Sequence, residues 1–153
     1  MSRTAILIIA ISVCLTGSAL AQEKKLTRSQ LPAAVQATVD AQSQGATVKG
    51  FSEEKEKGQI FYEAEMTVKG HSKDVLIDAK GGVVEVEEEV ALDSLPAAVR
   101  EGLQAKAAGG KLGRVESLTK QGKLVAYEAV VRTNGKKSEV QVGPDGKPLD
   151  HEE

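Results

Sequence analysis

With one cysteine, no tryptophan and only four aromatic side chains in 153 residues, this sequence leaves out much of what usually carries chemistry or builds a core. A lone cysteine, Cys14, excludes an intrachain disulfide and any thiolate metal set. With only Phe51, Phe61, Tyr62 and Tyr127 as aromatics, the core must come from Val, Leu, Ile and Ala. Two histidines, His71 and His151, stand far apart, so no His-x-x-x-His or Glu-x-x-His metal spacing exists. Neither charge sign prevails: the net charge is −2, and no basic stripe interleaved with aromatics is present. That composition excludes electrostatic capture of nucleic acid or of an anionic membrane. No Gly-x-Ser-x-Gly, phosphate loop or dinucleotide fingerprint appears either.

The N-terminus carries an export pattern. Arg3 precedes an apolar stretch, Ala5 to Leu15, that is shorter than the roughly 20 residues a membrane-spanning helix needs. Ala19-Leu20-Ala21 is a small-x-small cleavage site. Residues 1–21 therefore read as a signal peptide, with Gln22 as the first mature residue and Cys14 removed with it. Ile11-Ser12-Val13 lacks the small residues of a lipidation signal. The expectation is a periplasmic or secreted protein with no stable membrane anchor after cleavage.

What the mature chain does have is an internal repeat. Leu31-Pro32-Ala33-Ala34-Val35 returns as Leu95-Pro96-Ala97-Ala98-Val99, an offset of 64. Tyr62-Glu63-Ala64 returns as Tyr127-Glu128-Ala129 at an offset of 65, which then holds for Gly70 and Gly135 and for Gly81 and Gly146. The expected domains are residues 22–89 and 90–153, sharing one core because a unit of about 60 residues buries little surface alone. In each half, Leu31, Val35 and Val39, or Leu95, Val99 and Leu103, recur at helical spacing. Ser29 and Asp93 are the candidate N-caps. Three or four strands follow. In residues 59–68 the set Ile60, Tyr62, Ala64, Met66 and Val68 alternates with Phe61, Glu63, Glu65 and Thr67. Asn134-Gly135 and Lys69-Gly70 mark hairpins. Val84 and Val86, or Leu149 in the second half, are expected to continue the buried face. The fold class is α+β: two helix-plus-antiparallel-meander repeats forming one curved sheet, helices on one face and the other face open.

That open face carries the candidate site. It would present Phe61, Glu63, Glu65, Thr67 and Leu76 from the first half and Glu128, Val130, Arg132 and Gln141 from the second. Apolar residues set among charges are what a protein-binding surface shows. Partner binding is accordingly expected at Phe61, Glu63, Glu65, Leu76, Glu128, Val130 and Arg132. Glu63 and Glu128 recur beside a tyrosine, but on a flat face with no evident pocket they do not make an acid–base pair. No catalytic residue, cofactor or metal ligand is assigned, and the protein is read as a non-enzyme. The run Glu85-Val86-Glu87-Glu88-Glu89 leaves an alternative open, a small-ligand or divalent-cation binder in which Glu85, Glu87 and Glu89 share a strand face. A solvated, charge-protected edge strand accounts for the same run.

Leu-Pro-Ala-Ala-Val opening each helix and Tyr-Glu-Ala on each central strand make the chain resemble the PepSY-like group of small envelope proteins, which is similar in architecture to the β-lactamase inhibitory proteins. The resemblance implies a module that binds or restrains peptidases or other envelope proteins through its sheet. Those inhibitors carry disulfides and present aromatics to their targets, where this chain has no mature cysteine and offers Phe61.

Overall fold

The computed structural model describes residues 24–56, 58–151 and 153; the expected signal peptide and cleavage site lie outside the described residues. Eight antiparallel strands form one open sheet in the order of the chain: β1 (Lys24–Leu26), β2 (Ala46–Glu56), β3 (Gln59–Val68), β4 (His71–Asp78), β5 (Val83–Val90), β6 (Lys111–Lys120), β7 (Lys123–Thr133) and β8 (Lys136–Val142). Helix α1 (Ala33–Gln42) lies between β1 and β2, and α2 (Ala97–Lys106) between β5 and β6.

Each helix starts one residue after its proline. Ser29 and Asp93 do not cap the helices: they lie in short 3-10 turns, Arg28–Gln30 and Leu92–Ser94. The cause is the Leu-Pro pair. A residue before proline is pushed out of the α region, so Leu31 and Leu95 are extended and the helix cannot begin until the proline is passed. Val35 and Val39, like Val99 and Leu103, are fully buried against the sheet. Strand β3 spans residues 59–68, with Ala64 and Met66 buried by their alternation. Lys69-Gly70 and Asn134-Gly135 both adopt positive φ, the geometry of tight hairpins.

The helices share a face. Val86 of β5 pairs with Thr119 of β6, and Val75 and Val115 belong to the same inward set on their own strands. The two halves do not share a core, however. One cluster gathers Leu31, Val35, Val39, Ala64, Met66, Val75 and Ile77 under α1. A second gathers Leu95, Val99, Leu103, Val115, Ala129 and Val142 under α2. Between them runs the β5–β6 seam, so continuous backbone pairing joins the halves. Each helix also closes on a turn of its own half, α1 on the turn after β4 and α2 on the turn after β8. Thr38 Oγ1 donates to Gly81 O at 2.6 Å, and Gly102 lies against Gly146 with no room for a Cβ.

Three further expectations are corrected. A bulge between Leu76 and Ile77 makes Val83, not Val84, pack with Val86 on the first core. Residues 143–151 form no strand, so Leu149 does not extend the buried helix-side face: its Cδ2 lies 3.5 Å from where a Cβ on Gly143 would sit. Strand β5 is internal, hydrogen-bonded to β4 and β6, so its acidic run is no protected edge.

Candidate functional site

Strand register determines which side chains meet on the helix-free face. Across β3, β4 and β5, Glu65 stands opposite Asp74, and Asp74 opposite Glu87. Across β5, β6 and β7, Glu89 stands opposite Glu116, and Glu116 opposite Glu128. These are two ladders of three carboxylates, at the roughly 4.8 Å spacing of neighbouring strands. Like charges placed directly opposite destabilise a sheet. Stability therefore does not explain the arrangement.

Where the ladders converge, Asp74, Glu87 and Glu116 bring carboxylate oxygens within 4.8 Å of one another. Partial burial, with Glu63, Glu116 and Glu65 nearby, raises the Asp74 carboxyl to about 6. Burial, then the charges of Glu85, Glu128 and Glu116, raises Glu87 to about 8. The outer members are better served. Lys25 Nζ donates to Glu65 at 2.7 Å, and Ser72 N–H donates to Glu89 at 3.0 Å. Glu116 accepts from the Ser72 hydroxyl at 3.1 Å and pairs with Arg114 Nε at 3.2 Å. The backbone donor from Ser72 holds Glu89 below the ordinary carboxylate range.

Beside the first ladder, a depression of about 110 Å³ is lined by Glu54, Glu63, Asp74, Leu76, Glu85 and Glu87. It lies within the same face as a larger cleft of about 730 Å³ whose walls include Lys25 of β1, Glu65, Asp74, Arg114, and Lys137 and Glu139 of β8. Strands β1 and β8 are seven spacings apart, about 34 Å on a flat sheet. Their side chains can line one such cleft only if the sheet curls with its open side concave.

The expected site residues divide. Phe61, Glu63, Glu65 and Leu76 lie half-buried on the concave face, and register puts Glu128, Val130 and Arg132 on it too, Glu128 half-buried, Val130 buried and Arg132 exposed. Val130 and Gln141 are not available to a partner, being 8% and 7% exposed. Leu118 and Ala126, on the same side, are also buried. The chain's own C-terminus reaches this region. Glu153 N–H donates to Gln141 Oε1 at 2.9 Å, and its carboxylate meets Lys120 at 3.3 Å. The uncovered part of the face is thus mainly that of the first half, and it is acidic more than apolar. Glu63 accepts from the Ser52 hydroxyl, and Glu128 from the Gln141 amide. They belong to β3 and β7, with three strands between them, and do not stand beside one another as an acid–base pair would. Glu63 does border a depression, contrary to a flat face. Glu85, Glu87 and Glu89 share a face as expected, but the carboxylates that converge are Asp74, Glu87 and Glu116, from three different strands. Asp74 and Glu116 were missed because only strand register brings them to Glu87.

No family model matches the chain, and no curated protein matches it. Among solved structures, a BLIP-like protein from Bacteroides fragilis superposes with a TM-score of 0.57 at 23% identity, over 78% of this chain and 83% of that one. The chain has a BLIP-like fold. A protein from Bacteroides eggerthii, named for the periplasm, gives a TM-score of 0.63 at 20% identity, over 78% of this chain and 86% of that one. A DUF2874 family protein from Bacteroides ovatus gives 0.59 at 20% identity, over 78% and 85%. At these identities the likeness is one of fold. Among the described residues, no helix is long and apolar enough to cross a membrane.

Proposed function

We propose that this is an exported, non-enzymatic protein-binding module of the periplasm or the outside of the cell, which holds and restrains another envelope or secreted protein against its concave sheet face. Its halves, residues 22–89 and 90–153, are read as two PepSY-like copies of one unit. The parallel contacts of Gly81 with Ala34 and of Gly146 with Ala98 support that reading. The observation that carries the function is the pair of in-register carboxylate ladders on a concave surface: a costly arrangement for the isolated chain that gains its return only when something occupies it.

A photo-crosslinking side chain at position 65, on the face, tests this against one at position 101, exposed on α2 behind the sheet. In envelope extract the front position is expected to give a discrete adduct that unlabelled protein competes away, and the rear position none. Equal labelling from both, or none from either, overturns the reading.

A divalent cation is the second reading, favoured by the three converging carboxylates. Calcium takes six to eight oxygens, so a partner or water would complete the shell. On this reading, millimolar calcium chloride raises the unfolding midpoint of the protein but not that of Glu87→Gln.

A further inference from the structure

We propose that the partner enters the concave face with a protruding loop whose anchor is a lysine or arginine, seated in the depression between β3, β4 and β5. The inference rests on the docking function proposed above and names the chemistry of its partner.

The shape limits the occupant. A cleft of about 730 Å³ holds a few side chains, so a loop enters where a flat surface could not. The floor limits its chemistry. The depression of about 110 Å³ has room for roughly three or four water molecules. That is enough for an ammonium or guanidinium head with its last methylenes. Five of its six lining side chains are carboxylic acids, and the sixth, Leu76, offers an apolar wall to the stem. Register places Phe61 diagonal to Leu76 on the same face, which widens that wall. Among the chain's own cations, Lys120 reaches Glu85 on the wall of the depression at 3.4 Å, Arg114 reaches Glu116, and Lys25 reaches Glu65. At the centre, Asp74 and Glu87 face one another across β4 and β5, with Glu63, Glu65, Glu85, Glu116 and Glu128 around them, and hold their protons to higher pH than free carboxyls. An entering cation replaces those protons, so binding releases protons and strengthens as pH rises through the range in which the two groups titrate.

A library of disulfide-constrained random loops displayed on phage, selected against the whole protein, tests the proposal. The expected result is enrichment of loops sharing one lysine or arginine. Replacing that residue by norleucine or glutamine should weaken a synthetic loop at least about tenfold. Asp74→Asn with Glu87→Gln should weaken it comparably and abolish the pH dependence. Both substitutions relieve repulsion, so the variant stays folded, and circular dichroism verifies this. Enriched loops that compete on the face but carry no basic anchor overturn this inference and leave the docking function standing. No enrichment at all overturns both. Calcium chloride binding the cluster in place of any loop overturns the inference in favour of a metal site.

Discussion

Raising the pH from about 5 to about 8.5 is expected to destabilise the protein, and Glu87→Gln is expected to remove most of that loss. The folded-state pKa of Glu87 is about 8 against an ordinary 4.5, because burial and then the charges of Glu85, Glu128 and Glu116 oppose ionisation. Between those two values the folded chain binds more protons than the unfolded one, so stability falls as pH rises through the window and the loss is complete above pH 8. Asp74, raised from 3.8 to about 6, adds to the fall at its lower end. The full linkage of Glu87 would approach 5 kcal/mol, but the side chain is partly solvated. A loss on the order of 2 kcal/mol is the better expectation. For a chain of this size that is roughly 6–8 °C in the unfolding midpoint. Glu89, Asp78 and Asp145 act oppositely. Their carboxyls are held below the ordinary range, so what they contribute is present above it and lost only at lower pH. Stability should therefore peak near pH 5. Because desolvation leads the causes for Glu87, high salt should recover only a minor part of the alkaline loss. Denaturant titrations across pH on both proteins decide the matter, and parallel curves for the two would sink the assignment of the decline to Glu87.

Much of the fold is legible in the sequence because its signals are local. Alternation over ten residues places β3, and the spacing of Leu31, Val35 and Val39 places α1 and its buried side. Lys69-Gly70 and Asn134-Gly135 place the hairpins. Features set by tertiary context do not show there. Strand β1 is three residues long and exists because Leu26 finds Phe51 on β2. The short turns at residues 28–30 and 92–94 follow from how Leu31 and Leu95 must be delivered to the two cores. The missing fourth strand of the second half is equally opaque, since Leu149 reads as well for a strand as for a tail.

The site is legible only along single strands. Alternation sorts Phe61, Glu63 and Glu65 from their buried neighbours and sets Glu85, Glu87 and Glu89 on one face. It does not say what stands beside each of them on the next strand. Asp74 beside Glu87 depends on the register that the bulge between Leu76 and Ile77 sets between β4 and β5, and Glu116 beside Glu89 on register across the β5–β6 seam, which no short turn fixes because α2 intervenes. Coverage of Gln141 by the chain's C-terminal residues is longer-ranged still.

Arg114→Met should be among the most destabilising changes to any half-exposed side chain in the protein. By exposure alone the pair looks minor: Arg114 is 45% exposed, and surface ion pairs contribute less than about 1 kcal/mol. Its partner decides otherwise. Glu116 is 5% exposed at its side chain and stands between Glu89 and Glu128 in the second ladder. Removing the guanidinium leaves it with the Ser72 hydroxyl as its remaining named donor. A buried carboxylate stripped of its cation costs about 3 kcal/mol, or takes up a proton instead. Arg114 also holds down Asp74, so its loss should drive that carboxyl further up and steepen the alkaline decline. The double variant Arg114→Met with Glu116→Gln should regain most of the stability, because an uncharged amide no longer needs the cation. Chemical denaturation of the two single variants and the double variant near pH 8 yields the coupling. A loss below about 1 kcal/mol for Arg114→Met, or one that Glu116→Gln fails to repair, would mean that the ladders are shielded by solvent rather than by this arginine. The same low coupling would weaken the case that the concave face waits for a cation from outside, since a face already screened by water has little left to gain from one.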